Sequence, residues 1–231
     1  PLDKAVDWGW GSPSVLGMIA AGVVLLALWT FHELRTHDPL VDLRLMRHRA
    51  VLTANLAGLL MGLTMYILMV VIAQFVQLDT FGLGKSIFVA GLTLVPMSVF
   101  SGLMSSALPR LQARFSLRAI MPMGALAVAI GGLLFGLTAT ALWQVLVCMA
   151  LVGVGVGLTF AALPGLIISA VPAAETGSAM GFYQVSRFIG FALGSGLAVT
   201  FLRAFGEAGE PTLQSYKSTA LLIVALGVVT A

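Results

Sequence analysis

Charge is almost absent from long stretches of this sequence. Segments 15–31, 51–77, 87–108, 119–139, 143–168 and 219–231 hold no Asp, Glu, Lys or Arg, and 178–202 holds only Arg187. Soluble domains carry about 25% charged residues. Here the figure is 9%, beside 59% hydrophobic residues and a mean hydropathy of +1.05. Too few polar side chains exist to cover a water-exposed surface. Each complete segment can cross a hydrocarbon core about 30 Å thick at about 1.5 Å per residue, allowing for tilt. Barrel strands would be about 10 residues of alternating polarity, and that alternation is absent. Helices remain as the way to satisfy the backbone in lipid. The expected fold class is an all-α, multi-pass membrane protein.

The run from Thr219 is shorter than the roughly 20 residues of a full span, and the sequence opens on Pro1. The chain is therefore expected to be an internal fragment of a longer protein, with its last helix truncated.

Basic residues suggest the orientation. Loops 32–49 and 109–118 hold seven Lys or Arg: Arg35, Arg44, Arg47, Arg49, Arg110, Arg114 and Arg118. The alternate loops hold four: Lys4, Lys85, Arg203 and Lys217. The bias places 32–49, 109–118 and the loop near 169–177 in the cytoplasm. It also accounts for the pI of about 9.4, because bases beside spans meet anionic headgroups and set topology, so no nucleic-acid partner is expected. The lone Cys148 lies within a span and can form no disulfide inside this sequence.

Several local patterns, in order, resemble one family. Trp8-Gly9-Trp10-Gly11-Ser12-Pro13 precedes the first span, and Asp38-Pro39-Leu40-Val41-Asp42-Leu43-Arg44-Leu45 follows it. Then come Ala90-Gly91-Leu92-Thr93-Leu94-Val95-Pro96 and Arg114-Phe115-Ser116-Leu117-Arg118. Gly153-Val154-Gly155-Val156-Gly157 with Pro164, and Arg187-Phe188-Ile189-Gly190, complete the set. Together they resemble the major facilitator superfamily, and more narrowly its fourteen-helix drug:proton antiporters. The resemblance implies that 1–49 comprises an outer loop, an extra transmembrane helix and a cytoplasmic linker. Residues 50–231 would then form the C-terminal six-helix bundle. It implies the same orientation as the basic residues, a cell (inner) membrane location, a small amphipathic substrate, protons, and a missing N-terminal half as partner. Two positions depart from the family's loop motif, which has Asp and Gly where this chain has Ala113 and Ser116. No carboxylate lies well inside a span, so proton coupling is implied by the resemblance alone.

Candidate path residues follow from helical spacing. Asn55, Tyr66 and Gln77 are eleven apart, about three helical turns, so they return to nearly one face with Gly58, Gly62 and Ala73. Such a stripe suits a water-filled path; the alternative is hydrogen bonding to neighbouring helices, contacts averaging about 0.6 kcal/mol in membranes. Met61, Met65 and Met69 form a flexible apolar strip beside it, suited to varied ligands or to ordinary packing.

Arg187 is costly in mid-membrane, at about 2.5–3.5 kcal/mol even on the mildest scale, and so needs protein or water beside it. Met180, Tyr183, Gln184, Phe191 and Gly194 share its face. That face could bind an anionic or amphipathic ligand, pair with an acid elsewhere, or hold a helix end to neighbouring carbonyls. Gly153 and Gly157, with Ala161, form a small-residue ridge for close helix approach. Pro96 and Pro164 remove helix hydrogen bonds and predict bends, either gating hinges or static kinks.

Catalysis is not expected. His32, His37 and His48 lack metal-ligand spacing with each other or with Cys148, and no nucleophile is paired with a base. The glycine run is mid-span, follows no strand and has no Lys after it, so a phosphate loop is rejected. Neither cofactor nor metal is expected. The sequence reads as part of a proton-coupled multidrug exporter working by alternating access. Export of an endogenous lipid or metabolite, or a non-transporting scaffold or sensor, are the alternatives.

Overall fold

A computed structural model describes residues 11–36, 49–205 and 212–231, apart from the side chain of Leu34. The expectations for Trp8, Trp10, His37, the Asp38–Leu45 segment, Arg47, His48 and the 206–211 loop lie outside the described residues. Eight α-helices follow in order: α1 (Pro13–Arg35), α2 (Arg49–Gln77), α3 (Ile87–Leu92), α4 (Leu94–Gln112), α5 (Leu117–Thr138), α6 (Leu142–Ile168), α7 (Thr176–Ala204) and α8 (Leu213–Thr230). A 3₁₀ turn, Ala173–Glu175, leads into α7. Counting α3 and α4 as one span, seven helices are long and apolar enough to cross a membrane.

Local chemistry sets the helix ends. The Ser12 hydroxyl accepts from the Val15 N–H at 3.3 Å, and Pro13 opens the first turn of α1. At the start of α6, Gln144 Oε1 reaches back to accept from the Thr140 and Ala141 N–H groups at 2.8 and 3.0 Å. For α8, Ser215 N–H donates to Thr212 Oγ1 at 3.3 Å while Thr212 N–H donates to Ser215 Oγ at 3.0 Å. This reciprocal box starts the helix at Leu213, six residues before the apolar run expected from Thr219. Hydropathy misses the first turns because Gln214, Ser215 and Lys217 are polar but helical.

The α3–α4 span is interrupted at Thr93, one turn before Pro96. Proline has no N–H to give the Leu92 carbonyl and its ring crowds that turn. Thr93 lies where the two helices join, and its hydroxyl donates to the Ala90 carbonyl at 2.6 Å. α6, by contrast, continues through Pro164.

Helices α2 to α8 pack as a bundle, while α1 stands apart. Val23, Val24, Leu25, Leu26 and Leu28 of α1 are all more than half exposed, as suits a helix facing lipid. Within the bundle the dominant contacts are α2 with α7, α5 with α6, and α4 with α6. The glycines explain how closely these approach. A side chain at Gly153 would meet the Met97 Cα at 2.8 Å, and one at Gly157 the Ser101 Cα at 2.8 Å. The ridge therefore seats α6 on α4, with Ser105 donating to the Gly157 carbonyl at 3.3 Å. Gly155 faces the other way, against Gly124 and Val128 of α5. One glycine run thus serves two seams.

The main core lies toward the C-terminal end of α2. There Phe75 of α2 stands edge-on to Phe135 of α5 at 5.3 Å and to Tyr216 of α8 at 5.5 Å. Met61 is fully buried in this core, while Met65 is only partly buried.

Candidate functional site

The α2–α7 seam places the candidate residues. Gly58 and Gly62 on α2, and Gly190 and Gly194 on α7, each stand four residues apart, the spacing that lets two helices approach closely. A side chain at Gly62 would meet the Arg187 carbonyl oxygen at 2.8 Å, and one at Gly194 the Leu63 carbonyl oxygen at 2.6 Å. A side chain at Gly58 would meet the Tyr183 ring, and one at Gly190 the Leu59 carbonyl. Contacts rise together along both helices, so α2 and α7 run parallel.

That seam divides the expected polar stripe. Asn55 is buried and its amide donates to the Val51 carbonyl of its own helix at 2.8 Å. Tyr66 is half-buried, its ring 5.7 Å from that of Phe191. Gln77 is exposed at the end of α2 and donates to the Ala73 carbonyl at 2.8 Å. Gly58 and Gly62 lie between them as seam rather than as an open wall.

On α7, Tyr183 is 1% exposed and packs on Gly58, whereas Gln184 is exposed on the adjoining face. Arg187 sits between these environments, half-buried. Its guanidinium carbon lies 5.2 Å from the Phe160 ring centre, 5.5 Å from Phe188, 5.7 Å from Phe191 and 5.8 Å from Tyr183. Phe191 in turn contacts Phe160 and Phe188, at 6.3 and 5.7 Å between ring centres. Aromatic faces attract a guanidinium through their quadrupoles, by about 0.5–2 kcal/mol per contact depending on desolvation. The cage holds the charge without a carboxylate among the described residues.

Hydrogen bonding is incomplete at the same place. Arg187 Nε and Asn55 Oδ1 are buried with no hydrogen-bond partner among the described residues. Each such group costs about 1–3 kcal/mol unless something satisfies it. The arrangement pairs a half-buried cation with flat apolar ring surface. No group of His, Cys, Asp and Glu among the described residues could hold a metal ion.

Two cage residues, Phe160 and Phe188, escape the sequence reading. Phe188 directly follows Arg187, a signal that was present in the Arg187-Phe188 pair. Phe160 comes from α6, and nothing local in the sequence joins it to Arg187. It stands four residues before Pro164, which leaves its carbonyl without the usual helical donor.

Residues 5–195 match the sequence profile of the Major Facilitator Superfamily. The chain belongs to that superfamily. Relatives within it share the resistance theme. A "Tetracycline resistance determinant" of Streptomyces rimosus is 27% identical over 89% of this chain and 59% of its own length. "Multidrug resistance protein Stp" of Mycobacterium tuberculosis is 29% identical over 89% of the chain and 38% of its own length. "Methyl viologen resistance protein SmvA" of Salmonella typhimurium is 30% identical over 78% of the chain and 36% of its own length. The chain thus spans between 36% and 59% of the length of these curated relatives. Superfamily membership together with seven span-length apolar helices makes it a multi-pass membrane protein.

Proposed function

We propose that this chain forms one wall of the substrate path of a multidrug exporter in the cell (inner) membrane, driven by the proton gradient. The observation that carries the proposal is the Arg187 cage: a mid-span cation held by four aromatic rings, beside unpartnered buried polar groups. A cation kept inside a membrane helix is a functional site by default. An aromatic surface adapts to varied flat, amphipathic molecules, which agrees with the resistance names of the relatives.

Transport would proceed by rocking this bundle against a second bundle, supplied by sequence outside residues 1–231, around a site near the midplane. Gln184 and Phe188 would face the substrate, with Tyr66 and Tyr183 behind them. Asn55 would serve the seam, and Gln77 the outer mouth. Pro96, at the α3–α4 interruption, is the better placed hinge; Pro164 lies inside a continuous helix. Proton coupling rests on the family resemblance and would use carboxylates outside this chain. The chain would act in transport, with neither cofactor nor catalytic step.

Expression of the full-length gene in a drug-sensitive host tests the proposal. Raised resistance to amphipathic drugs, abolished when the proton gradient is collapsed, is expected. Resistance that persists without the gradient removes the coupling, and no change in drug accumulation rejects the export.

A further inference from the structure

A cavity that Arg187 does not line opens where α2 and α5 begin and α6 ends. Its volume is about 620 Å³, and Arg49 and Thr53 of α2, Arg118 and Met121 of α5, and Leu166 and Ser169 line it. That volume falls within the about 300–1,000 Å³ of small-molecule pockets. Its position is the membrane boundary on the face that the basic residues assign to the cytoplasm.

Chemistry here favours an anion. Two guanidiniums from different helices line one space that, among the described residues, no Asp or Glu lines. Neither arginine has an ion pair among the described residues. Arg presents its donors as a planar fork that matches phosphate oxygens. Arg49 opens α2 and Arg118 is the second residue of α5, so both sit at positive helix ends. The hydroxyls are oriented by their own helices: Thr53 donates to the Arg49 carbonyl at 2.9 Å and Ser169 to the Leu166 carbonyl at 2.9 Å. Their oxygens remain able to accept from hydroxyl groups of a ligand. Met121 and Leu166 add apolar surface suited to a glycerol backbone or the start of an acyl chain.

We infer that this cavity binds a phosphate group, that of an anionic phospholipid headgroup or of a free phosphate ester. Loop charge that served insertion topology alone would not need arginines gathered around one space. Arg114 provides the comparison, since it lies in the same loop but does not line the cavity.

Native mass spectrometry of the purified full-length protein, titrated with phosphatidylglycerol or phosphatidylcholine, tests the inference. Arg49→Gln and Arg118→Gln should each weaken phosphatidylglycerol binding about tenfold, the loss of one strong contact. Arg118→Lys should fall between, and Arg114→Gln should change it less than twofold. Inorganic phosphate added to the protein in lipid-free maltoside micelles supplies the second arm. Arg118-dependent thermal stabilisation by phosphate, without a preference for phosphatidylglycerol, assigns a free phosphate; preference for the lipid assigns the headgroup. Equal losses in the Arg114 and Arg118 variants, each eluting as a monodisperse species, would show diffuse attraction and overturn the site. So would binding of neither probe.

Discussion

The guanidinium carbon of Arg187 on α7 stands 5.2 Å from the centre of the Phe160 ring on α6. The contact joins two helices that are each long and apolar enough to span a membrane. Its partners are ring faces, which stabilise the cation without neutralising it. A charge held in this way stays available to an acceptor brought by a ligand.

Substitutions at this pair separate a transport role from a structural one. Arg187→Ala removes the charge and the fork, whereas Arg187→Lys keeps the charge and loses the planar geometry. In the full-length protein both variants should reach the membrane at near wild-type levels while efflux falls, with Ala at least as impaired as Lys. Phe160→Leu keeps bulk but removes one ring face, and efflux should drop by about 2- to 30-fold, the equivalent of about 0.5–2 kcal/mol. A purely structural Arg187 would instead lower the amount of folded protein and leave activity per folded molecule unchanged.

Orientation is open to direct labelling. Cys148 is 2% exposed, so introduced cysteines can be read with the native thiol in place. Cysteines at positions 79–85 should react with impermeant thiol reagents on intact cells, and those at 32–36 or 113–116 should not. The opposite pattern would reverse the topology and move the Arg49–Arg118 cavity to the outside.

Much of the architecture was legible because membrane helices announce themselves by lacking charge. The spans expected at 51–77, 119–139 and 143–168 differ by no more than two residues per end from α2, α5 and α6. Polar helix ends were not legible this way, so the start of α8 at Leu213 was missed. The spacing of Gly153 and Gly157 puts them on one helix face, since four residues return a helix to that face, but it does not name α4 as what lies opposite. Asn55, Gly58, Gly62 and Tyr66 also share a face, but spacing cannot say what lies opposite. The opposing surface is α7, and the glycines serve its approach. Phe160 was illegible for the same reason: its meeting with Arg187 depends on how α6 and α7 are placed, not on either helix.

The start of α8 offers a stability test. Thr212 and Ser215 cap each other, and replacing a capping threonine by Ala costs about 1 kcal/mol. Thr212→Ala should speed hydrogen exchange at residues 213–216 about fivefold, with amides of α5 and α6 unchanged. Unaltered exchange at those four amides would show that packing against the bundle alone holds the turn.

The α2–α7 seam makes the sharpest packing prediction, because it is built from backbone. Gly190 meets the Leu59 carbonyl and the Leu63 N–H group, and main chain cannot turn aside as a flexible side chain can. Gly181, on the same helix, has nothing within 4 Å of where a Cβ would stand. Gly190→Val should therefore push the helices apart at an overpacking cost of about 1–3 kcal/mol or more. The displacement would also move Tyr183 and Arg187, which lie within two turns of Gly190. Gly181→Ala should leave folding intact, since alanine is the better helix former by about 1 kcal/mol. Thermal unfolding of the two detergent-solubilised full-length variants compares them directly. The seam requires a lowered midpoint for Gly190→Val and a wild-type or higher one for Gly181→Ala. Equal midpoints would mean that α2 and α7 are not held in backbone contact at this level.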